Sequence, residues 1–152
     1  MKRRVVITGL GVVTSLGQDV STLWHALLSG KSGISQIEQF DPSQFKVRFA
    51  GEVKEFPLRQ SLDPKQLRRL DRFAQFAVVA SQEAFVNSGI DLSKEDPFRC
   101  GVIWGSGIGG LNEFEEQHTR YMKDGPGKIS PFTIPKMISN AAAGNISIEL
   151  GF

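Results

Sequence analysis

The sequence predicts an α/β fold of which only the first part is present. Two strands are predicted, at residues 4–9 and 100–105, against at least four helical segments that each carry an apolar face. Each of those faces has to be buried against another layer of structure, and two strands cannot supply it. We therefore expect the chain to be the front piece of a larger α/β enzyme.

Composition and charge narrow the class of protein. A length of 152 residues is enough for one domain with its own core, and 40% hydrophobic with 22% charged residues is ordinary for a globular protein. A net charge of +2 is too small to indicate nucleic-acid binding. The apolar runs are shorter than the roughly 18 to 20 residues needed to span a bilayer. The first strand follows the N-terminal Met1-Lys2-Arg3-Arg4 directly and is too short for the apolar core of a signal peptide. We expect a cytoplasmic protein without nucleic-acid or membrane partners.

The chain opens with a strand and a helix. Residues 4–9 are a mostly β-branched run that ends at Gly9, which is typical of a strand buried on both faces of a parallel sheet. A helix is predicted over residues 21–29, with Ser21 as its N-cap and Gly30 as its C-terminal stop.

The rest of the chain is predicted to hold a long loop followed by four helical segments. Residues 31–61 are predicted to form the loop, with one strand near residues 48–53. Asp63, Pro64 and Gln66 combine an acidic N-cap, a proline at the first helical position and a capping-box glutamine, so a helix begins there. Three further helical segments are predicted at residues 73–85, 111–123 and 140–150, with Glu113, Glu115 and Glu116 on the outer face of the second.

The glycine-rich turn at residues 105–110 matches the G-x-G-x-x-G pattern of dinucleotide-binding proteins, after a strand and before a helix. A Rossmann unit then needs a second strand that ends in an acidic residue, and none follows this helix. The alternative is a tight turn whose backbone passes close to another chain or a ligand, with Ile108 projecting as an apolar gate. We prefer the second interpretation.

No residue pattern predicts catalysis or metal binding. Cys100 could in principle act as a nucleophile, but it begins an apolar strand and neither His25 nor His118 is placed as its base. A buried structural thiol is the better interpretation, and a single cysteine suits a reducing compartment. The histidines are interpreted as ordinary helix residues. No set of ligands at metal-binding spacing is present, and no cofactor is expected.

A cationic stripe is predicted on the helix that follows Asp63. Its members fall at i, i+3, i+4 and i+7 and are Lys65, Arg68, Arg69 and Arg72. The stripe is either a solvated helix face or a docking surface for an acidic partner, which Lys128 could extend.

Four motifs together resemble one protein family. They are Arg3-Arg4-Val5-Val6-Ile7-Thr8-Gly9-Leu10-Gly11, Asp71-Arg72-Phe73-Ala74-Gln75, the turn at residues 105–110, and Lys128-Ile129-Ser130-Pro131-Phe132. In this order and spacing the chain is similar, along essentially its whole length, to beta-ketoacyl-[acyl-carrier-protein] synthases of the type II elongating class.

The resemblance implies a thiolase-like layered α/β/α fold, of which residues 1–152 would be an incomplete N-terminal part of the first half. It also implies a homodimer that condenses malonyl-carrier protein, with loss of carbon dioxide, onto an acyl group held on a cysteine. In the family that cysteine, and the histidines and lysine that assist it, come later than the segments matched here. The resemblance therefore places no catalytic residue on this chain, and Cys100 does not match the nucleophile's motif.

What the resemblance does carry over is the scaffold of an acyl site. Ile108 corresponds to a gate at the mouth of the acyl pocket, and Phe132, Thr133 and Ile134 correspond to a segment that reaches into the partner's pocket. The residues that correspond to docking positions for the acyl carrier protein are Lys65, Arg68, Arg69 and Lys128. Gly127 stands where some relatives carry a further arginine, which would weaken that corner of the docking surface.

Three other functions stay open. A chain-length factor would shape the pocket of a partner synthase without a catalytic cysteine, and a polyketide ketosynthase would run the same condensation in another pathway. An independent dinucleotide-binding domain is the remote alternative.

Overall fold

The computed structural model describes residues 3–54, 56 and 62–152, and this part of the chain is mainly helical. Its α-helices are α1 (Val20–Leu28), α2 (Pro64–Arg69), α3 (Arg72–Ser88), α4 (Leu111–Asp124), α5 (Thr133–Met137) and α6 (Ala141–Leu150). Three single-turn 3₁₀ helices cover Leu92–Lys94, Pro97–Arg99 and Pro126–Lys128. Within the described ranges, no helix combines the length and the hydropathy that crossing a bilayer requires.

The chain divides into two compact units. One consists of Met1–Pro57 and Ala80–Gly89, and the other of Leu58–Val79 and Ile90–Phe152. Helix α3 contributes its first half to the second unit and its last half to the first.

In the first unit, α1 begins one residue earlier than predicted because its N-cap is Asp19 and not Ser21. An Asp19 carboxylate oxygen accepts the Thr22 backbone N–H at 2.8 Å, and the other accepts the Thr22 hydroxyl at 2.6 Å. These bonds hold the pKa of the Asp19 carboxyl below its ordinary value. The predicted stop is confirmed, since Gly30 has a φ of +66° that only glycine adopts without strain.

The loop that follows α1 contains a small sheet. Strand β1 (Ser35–Gln36) pairs antiparallel with β2 (Phe49–Ala50), and Ser35 lies opposite Ala50. The predicted strand near residues 48–53 is confirmed at β2, whereas β1 was not predicted. Residues 55 and 57–61 of the predicted loop lie outside the described residues.

The two strands predicted at residues 4–9 and 100–105 are not strands in the described chain. Neither segment has a hydrogen-bonded strand neighbour there, and the apolar side chains are exposed, with Val5 at 92%, Ile7 at 82% and Ile103 at 101%. A β-strand exists only as a pair, because its backbone N–H and C=O groups must bond to a neighbour. A run of β-branched residues shows that a segment favours the extended conformation, but it does not show that a neighbouring strand is present to pair with it.

The backbone at the end of this first segment, from Gly9 to Gly11, lies directly against α3. A Cβ atom on Gly9 would stand 2.1 Å from the Ala84 carbonyl oxygen, and one on Gly11 would stand 1.9 Å from the Ala80 carbonyl oxygen. Both glycines are therefore required by the close approach of the two backbones. The Glu83 carboxylate on α3 completes this contact by accepting the Val12 N–H at 2.9 Å and the Val20 N–H at 2.8 Å, the latter at the start of α1.

The second unit has its own apolar core, built from small side chains of α3 and α6. Ala74, Ala77 and Ala142 are fully buried, and Ile146 is 2% exposed. The other members of the buried cluster are Leu62, Leu70 and Val78. Alanine lets two helices pack closely without loss of helix propensity, which explains why this core is rich in it.

Candidate functional site

The glycine turn before α4 is fixed against the end of α5 in the second unit. Gly109 has a φ of +84°, and a Cβ atom there would lie 2.2 Å from the Met137 carbonyl oxygen. The Gly110 N–H donates to the same oxygen at 2.8 Å. The tight turn predicted here makes a close backbone approach to Met137 of the same chain.

The start of α4 is unsuited to a dinucleotide. A pyrophosphate would need the free N–H groups of the first helical turn, but the Glu113 N–H already donates to the Asp71 carboxylate at 3.0 Å. The Gly110 N–H is held by Met137. A buried carboxylate at this position would also repel a phosphate. The geometry therefore disfavours the dinucleotide interpretation of the glycine pattern.

A buried polar cluster lies between α4 and α5. Glu113 is 3% exposed and Gln117 5%, so the prediction that Glu113 faces outward was wrong. One Glu113 carboxylate oxygen accepts the Gln117 amide at 3.0 Å, and the other pairs with the Lys136 ammonium. Burial of this carboxylate is tolerated because the Lys136 cation and the Gln117 amide bond to its two oxygens. The only sequence signal for the burial of Glu113 would have been its partner Lys136, which is 23 residues away in the chain.

The predicted acyl-pocket residues lie on two segments, the glycine turn and the segment that leads into α5. The hydrogen bond between Gly110 and Met137 holds these segments together. Ile108 lies in the glycine turn and is 71% exposed, and Ile134 lies on α5 and is 61% exposed. Phe132 is the N-cap of α5, and the Thr133 hydroxyl donates to the Ser130 carbonyl at 2.7 Å. The structure brings the two segments together through backbone contacts, while the roles of these side chains stay a prediction.

The predicted cationic stripe is shorter than expected. Lys65, Arg68 and Arg69 lie exposed on α2, which ends at Leu70 with an extended backbone (φ −112°, ψ 133°). Arg72 belongs to the next helix, and its guanidinium lies 4.9 Å from the centre of the Phe76 ring. The four-residue stripe predicted for one continuous helix was therefore wrong. A change of backbone direction separates Arg72 from the other three cations.

Helix α2 is held by the predicted capping box. An Asp63 carboxylate oxygen accepts the N–H groups of Lys65 and Gln66 at 2.6 and 2.9 Å, and the Gln66 side chain accepts the Asp63 N–H at 3.0 Å. The pKa of the Asp63 carboxyl lies below its ordinary value, chiefly through the Gln66 and Lys65 backbone bonds. A helix of six residues gains much from such a cap, since it has few hydrogen bonds of its own.

Two cations of the docking prediction differ in their surroundings. The Arg69 guanidinium lies 5.9 Å from the centre of the Phe132 ring, within range of a cation–π contact. Lys128 is exposed at the end of the 3₁₀ helix Pro126–Lys128. Arg69 thus connects α2 with the segment that carries the predicted pocket residues.

The cysteine and the histidines have ordinary surroundings. Cys100 is partly buried, and its N–H donates to the Pro97 carbonyl at 3.2 Å. The His25 ring nitrogen Nδ1 lies 2.8 Å from the Ser21 carbonyl oxygen, and the His118 ring stacks on Phe114 at 6.2 Å between centres. The part of the chain that the structure describes contains no cluster of three potential metal ligands.

Comparison with known proteins agrees with this architecture. Residues 2–152 match the model of the N-terminal domain of beta-ketoacyl synthases. The chain is 45% identical to the 3-oxoacyl-[acyl-carrier-protein] synthase 2 of Vibrio harveyi and 43% identical to that of Staphylococcus aureus (strain COL), over 99% and 98% of its length. A solved ishigamide ketosynthase/chain length factor matches 99% of the chain at 26% identity with a TM-score of 0.83.

The fold is thus that of the thiolase-like ketosynthases, with a helix-rich part of their layered α/β architecture present here. The chain belongs to the beta-ketoacyl synthase family, within its N-terminal domain. It spans 36% of the length of the two synthases and 38% of the solved ketosynthase chain.

Proposed function

We propose that this chain is the N-terminal portion of a beta-ketoacyl-[acyl-carrier-protein] synthase that elongates fatty acids. The observation that carries the proposal is the 45% identity to a 3-oxoacyl-[acyl-carrier-protein] synthase 2 over 99% of the chain. Sequence identity at this level, without a break, favours the elongating enzymes over the more distant ketosynthase/chain length factor at 26%.

The reaction proposed for the full-length protein has two steps. A cysteine thiolate outside residues 1–152 attacks an acyl thioester, which forms an acyl-enzyme and releases the carrier thiol. Malonyl-carrier protein then loses carbon dioxide, and the electron pair left on its α-carbon attacks the acyl carbonyl. A carbon–carbon bond forms, the carbon–sulfur bond to the enzyme breaks, and the cysteine leaves as thiolate. The product is a 3-oxoacyl-carrier protein.

In this proposal residues 1–152 supply the surroundings of the reaction and not its reacting groups. Ile108 gates the acyl pocket, and Phe132, Thr133 and Ile134 reach into the pocket of the second subunit of a cytoplasmic homodimer. The apolar character and exposure of Ile108 and Ile134 support these roles, because a fatty chain would cover side chains that the described chain leaves open.

The carrier protein is proposed to dock on the cations of α2 together with Lys128. Lys65, Arg68 and Arg69 present three positive charges on one short helix, and all three are exposed. Exposed pairs of this kind contribute little each, but as a set they steer an acidic partner into place and are screened by salt.

The experiment that tests the proposal uses the full-length protein with an acyl-carrier protein and malonyl-carrier protein. We expect 3-oxoacyl-carrier protein and carbon dioxide in equal amounts, detected by mass spectrometry and with labelled malonyl carboxylate. Carbon dioxide without condensation, or neither product, would contradict it.

The second candidate is a chain-length factor. It is supported by the structural similarity of the chain to a solved ketosynthase/chain length factor, with a TM-score of 0.83. Such a protein would show no acyl-enzyme alone and would change product length only when mixed with an active synthase. The same assay therefore separates the two candidates.

A further inference from the structure

The buried acid Glu113 and the cation Lys136 form an ion pair in the second unit that the reaction above does not use. The side chain of Glu113 is 2% exposed and that of Lys136 18%. Ions so far from water are tolerated only when they are paired and hydrogen-bonded, so the pair confines both side chains to one geometry. Since Lys136 lies on α5, the pair fixes α5 relative to α4.

Two backbone contacts extend this restraint along the whole segment from Ser130 to Met137. At its start, the Gln117 side chain accepts the Ser130 N–H at 2.9 Å, and at its end the Met137 carbonyl accepts the Gly110 N–H at 2.8 Å. The amide of Gln117 in turn donates to Glu113. The segment is thus attached to α4 and its glycine turn at the first residue, at Lys136 and at the last residue.

Phe132 and Ile134 lie between the attachment points at Ser130 and Met137, and Ile108 lies in the glycine turn just before Gly110; none of the three side chains makes these contacts itself. Ile108 is 71% exposed, Ile134 61% and Phe132 46%. Ile108 and Ile134 are too exposed in the described chain for packing to fix their positions, whereas Phe132 also has the Arg69 contact. The spacing of the three residues is therefore set mainly by the backbone that carries them. That backbone is held by the Glu113–Lys136 cluster.

We propose that the Glu113–Lys136 pair, with Gln117, positions the acyl-selecting residues by fixing the spacing between the Ile108 turn and the segment that carries Phe132 and Ile134. Both ions are positioning residues and touch no reacting atom. Loss of the pair loosens the spacing, and the acyl chain length that fits best changes. The inference rests on the proposed function, because it needs an acyl chain to select.

The test compares variants of the full-length protein in self-acylation from a series of short and long acyl thioesters. Lys136→Met removes the cation at similar volume, and Lys136→Arg keeps it. The double variant Glu113→Gln/Lys136→Met removes both charges, so no unpaired ion is left buried if the single variant fails to fold. The matched control is Glu116→Gln, which breaks an exposed pair with Arg120 on the same helix.

We expect the long-to-short acylation ratio to change about tenfold in Lys136→Met or the double variant, because small displacements at a pocket act on selectivity. Lys136→Arg and Glu116→Gln should keep the ratio of the parent protein within about twofold. Hydrogen exchange at Gly110 and Ser130 should accelerate in the first two variants only.

The outcomes separate the two proposals. An equal loss for all chain lengths, with the ratio unchanged, would mean that the pair has only a structural role and would overturn this inference alone. A parent protein that takes up no acyl group would overturn the proposed function and this inference with it.

Discussion

At the scale of single residues, the contact between the first loop and α3 depends on two glycines. A Cβ atom on Gly11 would lie 1.9 Å from the Ala80 carbonyl oxygen and 2.7 Å from the Ala84 nitrogen, both of which are backbone atoms of a helix. Neither atom can move without disturbing α3. Glycine is therefore required at position 11 because a side chain would overlap the α3 backbone, and not because of its φ angle.

We predict that Gly11→Ala destabilises the protein by about 1 to 3 kcal/mol, the usual cost of forcing extra volume into a packed contact. Thermal or denaturant unfolding measures this. Gly127→Ala is the matched control, because nothing lies within 4 Å of a Cβ atom there. The control should change stability by less than about 0.5 kcal/mol. Equal effects of the two substitutions would show that the close approach to α3 is absent.

A second prediction concerns the gate residue. Replacement of Ile108 by phenylalanine should shorten the preferred acyl chain of the full-length protein, since a larger side chain narrows the entrance. Product lengths by mass spectrometry measure this. The control is Leu111→Phe, at an exposed apolar position that begins α4 three residues later, and it should leave the product lengths unchanged. An unchanged chain profile would remove the gate assignment.

Residue-level prediction succeeded where the determinant is local. The capping box of Asp63 and Gln66 is visible within four residues and was predicted with its partners. The burial of Glu113 was missed because its partner Lys136 is distant in sequence. The N-cap of α1 was placed at Ser21 although Asp19, two residues earlier, offers an equally good acceptor and begins the helix.

At the scale of elements, helix α2 is a short scaffold for three exposed cations. The capping box fixes its start, and the extended Leu70 fixes its end before Arg72. Charge reversal on this helix should therefore act on the proposed carrier interface without disturbing the core below it.

We predict that the double variant Lys65→Glu/Arg68→Glu slows acylation from acyl-carrier protein about tenfold or more at low salt, because exposed charges steer association. Acylation from a small acyl thioester should stay nearly unchanged. The double variant Lys31→Glu/Lys46→Glu carries the same change of net charge at exposed positions of the other unit and should affect neither substrate. If the α2 variant loses both activities equally, the docking assignment fails.

Elements were predicted well where they are helices and poorly where they are strands. The long helix α3 follows from a run of alanines and phenylalanines that ends before Gly89, whose φ is +66°. Its helical hydrogen bonds lie within the segment itself. Residues 4–9 and 100–105 have the composition of strands, yet a strand requires a neighbour, and the described chain provides none for them.

At the scale of the whole molecule, the described chain leaves apolar side chains exposed that a complete sheet would cover. Ile103 and Val5 are almost fully exposed on the two segments with strand composition. The chain that contains both segments belongs to a family whose fold has sheets layered between helices. Strands in such a sheet are covered on both faces, which is what the composition of these two segments predicts.

The candidate site was predictable only in part at this scale. The family motifs pointed to the glycine turn and to the segment with Phe132, and the structure joins these two through Met137. The cluster of Glu113 and Lys136 that fixes the junction gave no signal in the sequence, because a buried ion pair looks like two ordinary surface charges until the fold brings them together.

The central claim is that residues 1–152 form the surroundings of an acyl-transfer site whose nucleophile lies elsewhere in the full-length protein. The most direct test is to acylate that protein with a labelled acyl thioester, digest it and locate the acyl group by peptide mass spectrometry. The account predicts one acylated cysteine outside residues 1–152 and an unmodified Cys100. Acylation of Cys100, or of no cysteine at all, would contradict it.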